Sequence, residues 1–321
     1  MPKPKIVIFD GYAANPNDLS WEPIARRGNL KVYDRTPDNL VYQRGKAAEI
    51  AIVNKRELDW YYISSLRKLK LICTLATGYN NVDIDAANHF GITVCNAVGY
   101  SSPSVAQHVF ALLLELINRV GLHNADVQKN GWANSLDWCY WKSPITELAG
   151  KTMGIYGYGK IGQKVADIAL AFDLKVIVVR QSNRLPANTK VQLVDLETLW
   201  TASDVISLHA PLTDSNAGII NQTTLAKMKK SAYLINTGRG GLVNENDLKI
   251  ALEKGQIAGA GLDVLSQEPP PKDHLLLGVP NCLITPHQAW ATKESRARLI
   301  EIVGENIGAF LAGKPQNVVS Q

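Results

Sequence analysis

The stretch Gly157-Tyr158-Gly159-Lys160-Ile161-Gly162 lies near the middle of a chain of 321 residues and decides its fold. A short apolar run, residues 153–156, comes before it, and residues 163–172 follow it with apolar side chains at helical spacing. A glycine turn between a strand and a helix is the context in which G-x-G-x-x-G indicates dinucleotide binding, although any tight strand–helix turn favours glycine. We therefore predict that this turn and the first residues of the helix bind the phosphates of a dinucleotide.

Apolar runs like the one before the glycine turn recur along the chain, separated by polar segments that are compatible with helices. In the first part of the chain they are residues 5–9, 30–33, 50–53, 69–75 and 92–94. From residue 150 onward they are residues 152–156, 175–179, 191–194, 205–208, 232–235, 258–262 and 282–284. Alternating strands and helices predict an α/β fold with two parallel-sheet domains of the Rossmann-like or flavodoxin-like kind.

Composition argues against several classes of function. The net charge of +5 is not clustered in a basic patch, so we predict no binding to nucleic acid. The apolar-rich segment 105–117 contains Gln107, His108 and Glu115, which argues against a membrane span. The N-terminus is too short in apolar residues for a signal peptide, and the cysteines show no CxxC spacing. We therefore expect a cytoplasmic protein with reduced thiols and no metal site.

The segment between the two series of strands combines a long helix with an aromatic loop. A helix is predicted over residues 105–120, with Ser102 as its N-cap. The loop 121–149 that follows is rich in tryptophan, with Trp132, Trp138 and Trp141. This much aromatic area is unusual on the surface of a monomer. The loop either packs on its own domain or forms a dimerisation arm, and we favour the arm.

Three polar side chains follow strands of the second series, at the ends where open α/β sheets bind ligands. Arg239 lies in the glycine-rich segment 236–241, and a guanidinium suits a carboxylate. Glu268 precedes three prolines, and His287 follows a buried strand and a proline. Each residue alone has an ordinary structural explanation. Together they predict a carboxylate anchor and an acid–base pair, because a glutamate beside a histidine favours the imidazolium that protonates a ketone oxygen.

A second glycine turn, residues 76–83, follows the apolar run 69–75 in the first part of the chain. Its backbone N–H groups could hold an anion at the carboxyl end of a sheet. From spacing alone, an anion site and an ordinary turn fit this segment equally well.

Over the whole chain, these motifs resemble the D-isomer-specific 2-hydroxyacid dehydrogenase family. The resemblance is carried by residues 76–83, 104–108, 157–162, 209–213, 236–240, 261–264, 268–269 and 286–287. It implies a discontinuous substrate-binding domain, residues 1–98 plus 289–321, around a nucleotide-binding domain, residues 99–288, with the substrate in a cleft between them. It also implies a homodimer formed through the nucleotide-binding domain, which agrees with a dimerisation arm at about residues 121–149.

The resemblance assigns roles to the residues that match the family's motifs. It makes His287 the acid–base, Glu268 its partner and Arg239 the residue that binds the 2-oxo acid. Further substrate-binding candidates are Thr77 and Gly78 through their backbone N–H groups, Trp138 reaching across the dimer, and Trp290. The cofactor-binding candidates are Ser104, Gly157, Gly159, Lys160, Ile161, Gly162, Arg180, Ser182, Arg184, His209, Pro211, Thr237 and Asp263, the last facing the nicotinamide carboxamide.

Four local sequences resemble the glycerate dehydrogenase and hydroxypyruvate (glyoxylate) reductase branch of the family: residues 10–12, 20–23, 137–141 and 289–290. This resemblance implies reduction of hydroxypyruvate or glyoxylate to D-glycerate or glycolate. Glu268 stands where formate dehydrogenases carry glutamine, which argues against that activity. A dehydrogenase for a bulkier D-2-hydroxy acid and a dinucleotide-sensing corepressor or scaffold on the same fold remain alternatives.

The chain departs from the family's common pattern beyond the glycine turn. An acidic residue about 20 residues after the glycines usually binds the ribose hydroxyls of NAD. Here Arg180 occupies that position, and no Asp or Glu occurs in residues 174–194. Arg180, Ser182 and Arg184 are suited to a 2′-phosphate, so we predict a preference for NADP(H). The alternative is that the acid was lost without replacement, which would leave NAD(H) in use as well.

Overall fold

The computed structural model describes residues 3–179 and 188–320. The chain divides into two compact units: Met1–Ser101 with Trp290–Gln321 form the first, and Ser102–Ala289 form the second. Each unit is built on its own sheet, and the paired strands of both sheets are parallel. This arrangement confirms the predicted α/β class with two parallel-sheet domains.

The strands of the described residues match the apolar runs of the sequence to within one or two residues. In chain order they are β1 (Lys5–Ile8), β2 (Asn29–Val32), β3 (Ile50–Val53), β4 (Leu71–Thr74), β5 (Thr93–Cys95), β6 (Thr152–Tyr156), β7 (Lys175–Val179), β8 (Val191–Val194), β9 (Val205–Leu208), β10 (Tyr233–Asn236), β11 (Gly259–Leu262) and β12 (Cys282–Ile284). Strands β3, β4, β9 and β11 are buried along their whole length. Burial on both faces explains why they are continuous apolar runs rather than alternating ones.

The helices fill the polar segments between the strands. In chain order they are α1 (Glu22–Ala25), α2 (Val41–Gly45), α3 (Trp60–Ser65), α4 (Ile84–His89), α5 (Ser102–Asn118), α6 (Val120–Val127), α7 (Lys160–Ala171), α8 (Leu196–Ala202), α9 (Gln222–Lys227), α10 (Glu245–Glu253) and α11 (Lys293–Leu311). Several begin where a short polar side chain accepts a hydrogen bond from a backbone N–H of the first turn, which satisfies an otherwise unpaired donor. These N-caps are Asp59, Asp83, Asp195, Asn221, Asn244 and Thr292.

The sheet of the first unit has the strand order β2-β1-β3-β4-β5. Helix α11, at the end of the chain, packs against α1 and β4 of this unit. Gly304 makes this close packing of α11 on α1 feasible, since a Cβ there would lie 2.4 Å from the carbonyl oxygen of Pro23. The C-terminal segment therefore completes the first unit.

The sheet of the second unit has the strand order β12-β11-β10-β9-β6-β7-β8. The chain reverses its direction of travel across the sheet between β6 and β9, which are hydrogen-bonded neighbours. In doubly wound sheets ligands bind beyond the carboxyl ends of the strands at such a reversal. Gly157 follows β6 directly and His209 follows β9 directly, so both lie at this point.

The predicted helix over residues 105–120 is wrong at both ends. Helix α5 begins at Ser102, which is therefore its first residue rather than its N-cap, and it ends at Asn118. Arg119 adopts a left-handed φ of 48°, which breaks the helix. Helix α6 starts one residue later, at Val120, and extends to Val127, so the first part of the predicted loop 121–149 is helical. Over the described residues, no single helix is long and apolar enough to cross a membrane, and α5 with α6 meets those criteria only as a pair bent by 55°.

Candidate active site

The glycine turn after β6 has two glycines that the fold itself requires. A Cβ on Gly157, whose φ is 103°, would lie 2.4 Å from the backbone nitrogen of Ala210, and one on Gly162 would lie 2.2 Å from the carbonyl oxygen of Gly157. Gly159 differs, because a Cβ there would meet no atom within 4 Å among the described residues. Gly159 is exposed and precedes the first residue of α7. An open position above the unpaired N–H groups of a helix start suits the close approach of a pyrophosphate.

Two buried polar atoms just beyond the carboxyl ends of strands of the same sheet have no hydrogen-bond partner within the described part of the chain: Nδ1 of His209 and Oγ1 of Thr237. They follow the neighbouring strands β9 and β10. Unpaired buried polar atoms are rare in folded proteins, since each loses its hydrogen bonds to water. Their position at carboxyl ends of adjacent strands fits a bound dinucleotide that would supply the missing partners, and both residues are among the predicted cofactor-binding residues.

His209 is neutral near neutral pH. Burial of the ring lowers the pKa of His209 to about 3. The Nε2 atom lies 2.8 Å from Oγ of Ser207, on the same strand face. A neutral imidazole in this place presents one polar atom to a ligand without adding a positive charge. The next predicted residue, Pro211, is exposed, and its carbonyl oxygen accepts a hydrogen bond from Nδ2 of Asn216 at 2.8 Å.

The segment after β10 holds Arg239 in a turn closed by a buried asparagine. Nδ2 of Asn236 donates to the carbonyl oxygen of Arg239 at 2.9 Å, and the N–H of Gly238 donates to Oδ1 of Asn236 at 3.0 Å. The guanidinium donates from Nη1 to the carbonyl oxygen of Gly238 at 2.8 Å. Among the described residues, Arg239 has no carboxylate partner within ion-pair distance. A guanidinium with remaining donors is suited to bind a substrate carboxylate.

Glu268 and His287 form a direct pair. Oε2 of Glu268 lies 2.5 Å from Nδ1 of His287, and Oε1 accepts a hydrogen bond from the N–H of Leu265 at 3.1 Å. The two side chains are 31% and 28% exposed, so the pair is reachable by a small ligand. Because Nδ1 faces the glutamate, Nε2 is the ring nitrogen that remains to exchange a proton with a substrate.

His287 itself has a backbone conformation that a β-carbon disfavours, with φ at 51°. Its N–H donates to the carbonyl oxygens of Asp263 and Thr285, both at 2.9 Å. A left-handed non-glycine residue persists only when the surrounding structure holds it, and such residues cluster at functional sites. The conformation is therefore consistent with a residue that is positioned for chemistry.

The side chain of Asp263 holds the segment that carries His287. Its Oδ1 accepts hydrogen bonds from the N–H of Gln288 at 2.9 Å and from Oγ1 of Thr285 at 2.6 Å, and its Oδ2 accepts one from the N–H of Ala289 at 2.8 Å. Asp263 is 1% exposed. Burial by itself raises the pKa of Asp263, but hydrogen bonds from His108, Thr285 and the two amides outweigh it and lower the pKa.

Helix α5 adds two contacts to the same segment. Nε2 of His108 lies 2.9 Å from Oγ1 of Thr285 and 3.4 Å from Oδ1 of Asp263. The hydroxyl of Ser104 donates to the carbonyl oxygen of Ala289 at 2.5 Å. Ser104 and Asp263 are both predicted cofactor ligands, yet the structure uses both side chains to hold residues 285–289. Their contacts with the cofactor stay predictions.

The second glycine turn lies in the first unit, after β4. Thr77 is fixed through Oγ1, which donates to the carbonyl oxygen of Ala97 at 2.8 Å, and through its own carbonyl oxygen, which accepts from Nδ2 of Asn96 at 2.8 Å. Within the described residues, the N–H groups of Thr77 and Gly78 donate to no backbone oxygen. A rigid turn with unpaired N–H groups is a suitable binding site for a carboxylate.

The remaining predicted residues are spread over the molecule. Trp138 is 86% exposed, and its carbonyl oxygen accepts a hydrogen bond from Nε1 of Trp132 at 2.9 Å. Trp290 packs in the first unit, with its ring centroid 6.3 Å from that of Tyr100. Lys160 and Ile161 form the first turn of α7. Arg180, Ser182 and Arg184 lie outside the described residues.

The sequence reasoning missed the residues that support the predicted ones. His108 lies inside the motif at residues 104–108, which gives its side chain no role, and the hydrogen bond from Thr285 to Asp263 has no counterpart in the sequence pattern. The available signal was the placement of polar residues beside strand ends in otherwise apolar segments. That signal indicates a buried polar residue, but it does not name the partner.

The chain is similar in sequence to known dehydrogenases and reductases. A family model described as D-isomer specific 2-hydroxyacid dehydrogenase, NAD binding domain, matches residues 110–289. The chain is 43% identical to a hydroxypyruvate reductase of Blautia hydrogenotrophica over 322 residues, which covers 99% of this chain and 100% of that protein. It is 44% identical to a glycerate dehydrogenase of Methylorubrum extorquens over 286 residues, which covers 88% of this chain and 89% of that protein.

Solved structures show the same likeness. An acyclic imino acid reductase (Bsp5) in complex with NADPH and D-Arg matches with a TM-score of 0.86 at 35% identity, over 98% of this chain and 99% of that chain. A putative D-isomer specific 2-hydroxyacid dehydrogenase from a Polaromonas species matches with a TM-score of 0.88 at 27% identity, over 99% and 100% of the two chains.

Proposed function

The chain belongs to the D-isomer-specific 2-hydroxyacid dehydrogenase family, and we propose that it reduces a small 2-oxo acid, hydroxypyruvate or glyoxylate, to the D-2-hydroxy acid. Its nucleotide-binding domain takes a nicotinamide dinucleotide. The observation that carries the proposal is the contact between Glu268 and His287 at 2.5 Å. An intact acid–base pair favours an enzyme over a dinucleotide-sensing scaffold, which has no use for it. The names of the two similar curated proteins support the small substrate.

The proposed mechanism assigns one task to each residue. Arg239 binds the carboxylate of the 2-oxo acid through its unpaired donors, and the N–H groups of Thr77 and Gly78 bind a carboxylate in the same chemical manner. When bound, the nicotinamide supplies the hydride that reduces the C2 carbonyl. His287 donates the proton from Nε2 to the carbonyl oxygen. Glu268 accepts the hydrogen bond from Nδ1 and so stabilises the imidazolium before the transfer.

We propose NADP(H) as the preferred cofactor on the strength of Arg180, Ser182 and Arg184 in the sequence. A guanidinium attracts a 2′-phosphate, whereas the acid expected at position 180 would repel it. The similar reductase that was solved with NADPH is compatible with this preference.

We also propose that the chain acts as a homodimer through residues 121–149. Trp132, Trp138 and Trp141 are 54%, 86% and 66% exposed, and Leu136 is fully exposed. Apolar side chains this prominent usually mark a surface that a partner covers. Light scattering at several protein concentrations tests the proposal. A monomer at micromolar concentration, or a dimer undisturbed by Trp132→Ser with Leu136→Ser, would contradict it.

A panel of 2-oxo acids with NADPH and NADH tests the proposed function. We expect the highest kcat/KM with hydroxypyruvate or glyoxylate, and no turnover of hydroxyacetone, which has the ketone without the carboxylate. A preference for branched or aromatic 2-oxo acids would favour the bulkier-acid alternative. Oxidation of neither cofactor by any acid, with dinucleotide binding retained, would favour the corepressor or scaffold. Adding methylamine to the panel distinguishes ketone reduction from imine reduction.

A further inference from the structure

A second carboxylate–histidine pair, Glu245 with His274, lies behind the segment that carries Glu268. Nε2 of His274 lies 3.2 Å from Oε2 of Glu245, and the two side chains are 5% and 10% exposed. The N–H of Leu276 donates to Nδ1 of His274 at 3.3 Å. Since Nδ1 accepts a hydrogen bond, Nε2 carries the proton and donates to Glu245.

The carboxylate of Glu245 binds Ser266 with both oxygens. Oε1 accepts the N–H of Ser266 at 2.8 Å, and Oε2 accepts its hydroxyl at 2.6 Å. Ser266 lies two residues before Glu268, whose Oε1 accepts the N–H of Leu265. The short loop that contains Leu265, Ser266 and Glu268 is therefore held at Ser266 by the carboxylate of Glu245. The hydrogen bond from Leu265 to Glu268 closes the loop internally.

The same loop packs directly against the segment that carries Arg239. A Cβ on Gly240 would lie 1.9 Å from the carbonyl carbon of Leu265 and 2.3 Å from the nitrogen of Ser266. Glu245 is the first residue of α10, a few residues beyond Gly240. Ser266 is thus enclosed between the backbone of Gly240 and the carboxylate of Glu245. Gly240 and Glu245, which make these two contacts, both lie in the segment that follows Arg239, the proposed carboxylate-binding residue.

We propose that Glu245, supported by His274, is a positioning residue that holds Ser266 so that Glu268 faces His287. Glu245 touches none of Arg239, Glu268 or His287 through its side chain in the contacts described above, so it acts through the loop. A general acid such as His287 works only when the residue that orients it, here Glu268, is correctly placed. A displacement of about 1 Å costs about a hundredfold in rate. The inference rests on the proposed acid–base function of Glu268 and His287.

The kinetic test compares Glu245→Ala with Glu253→Ala, a matched change at the other end of α10, where the side chain pairs loosely with Lys249 at 3.8 Å. We expect Glu245→Ala to lower kcat about tenfold to a hundredfold and to change both KM values less than about threefold, with Glu253→Ala at the wild-type level. Ser266→Ala removes only the hydroxyl contact and should lower kcat less. Should Glu245→Ala fail to fold, Glu245→Gln and Ser266→Ala provide the same comparison.

A double-mutant cycle separates positioning from a general structural effect. If Glu245 acts through Glu268, Glu245→Ala should lower kcat little further in a Glu268→Gln background. The inference would be overturned if the fold-losses in kcat of Glu245→Ala and Glu268→Gln multiplied in the double variant, or if Glu245→Ala kept a wild-type kcat. Either result would leave the proposed function intact. Absence of turnover in the wild type would instead count against the proposed function.

A readout that does not need turnover completes the test. The proton on Nδ1 of His287, hydrogen-bonded to Glu268, should give a downfield imidazole resonance in the NMR spectrum, assigned by its loss in His287→Ala. We expect this resonance to shift or disappear in Glu245→Ala and to stay unchanged in Glu253→Ala. An unchanged resonance in Glu245→Ala would refute the positioning role, whatever the substrate proves to be.

Discussion

Oε2 of Glu268 lies 2.5 Å from Nδ1 of His287, and this contact joins the segments that follow the neighbouring strands β11 and β12. The two residues are 19 positions apart in the chain, so only the parallel pairing of the strands brings them together. The contact leaves Nε2 of His287 as the ring nitrogen that does not face Glu268, and this is the atom that we propose delivers a proton. It also makes the pair sensitive to anything that moves either segment.

Removing His287 should abolish most of the chemistry without removing binding. We expect His287→Ala to lower kcat by about two orders of magnitude or more, the usual contribution of a general acid, with dinucleotide affinity close to wild type. Steady-state kinetics and fluorescence titration measure the two quantities. His89→Ala, the same substitution at an exposed position of the first unit, is the control. A near-normal kcat for His287→Ala would show that its role is misassigned.

Alanine substitutions at Gly162 and Gly159 should have different effects, the first on folding stability and the second on dinucleotide binding. A Cβ on Gly162 would lie 2.2 Å from a backbone oxygen, so we expect Gly162→Ala to cost about 1–3 kcal/mol in free energy of unfolding and to lower Tm. A Cβ on Gly159 meets nothing within 4 Å of the described protein, so Gly159→Ala should keep Tm and weaken dinucleotide binding. Thermal melts with and without NADPH measure both effects. Unchanged NADPH affinity in Gly159→Ala would argue against a phosphate at this turn.

Arg180 should determine the preference of the enzyme for NADPH over NADH. We expect Arg180→Asp to reduce kcat/KM for NADPH at least tenfold more than for NADH, because a carboxylate repels the 2′-phosphate and accepts hydrogen bonds from ribose hydroxyls. Lys230→Asp, a charge reversal at an exposed residue just before β10, controls for the change in net charge. Equal or better use of NADH by the unaltered protein would refute the predicted preference.

His209 should make the protein less stable in mild acid. The unfolded chain binds a proton at this residue near pH 6.5, whereas the folded protein resists it down to a pKa of about 3. The contribution of His209 to the free energy of unfolding is therefore complete above pH 6.5 and is lost as the pH falls toward 3. His209→Gln, which does not titrate, should narrow the difference in stability between pH 7.5 and pH 5 by about 2 kcal/mol. Urea unfolding at both pH values measures it, and identical pH dependence in the two proteins would contradict the expectation.

Some residues of the candidate site could be predicted from the sequence because they follow strands, whereas others could not. Arg239, Glu268 and His287 could be selected because a parallel sheet places the carboxyl ends of its strands along one edge. Ser104 and Asp263 were selected by resemblance, yet the structure engages their side chains with Ala289 and with residues 285–289. Glu245 and His274 were not selected at all. Their partners lie 21 to 29 residues away along the chain, and no local pattern encodes such pairings.

The sequence by itself determined the α/β class, nearly all strand positions and the glycine turn, because these depend on local spacing of apolar residues and on glycine geometry. It did not determine where α5 breaks, since the left-handed conformation of Arg119 leaves no mark in the apolar pattern. Only the tertiary structure decided that Glu268 faces His287, that Asp263 is buried beneath it, and that Glu245 holds the loop between them and Arg239. These relations depend on strand order and on close backbone contacts between distant segments, which the packing of the whole unit sets.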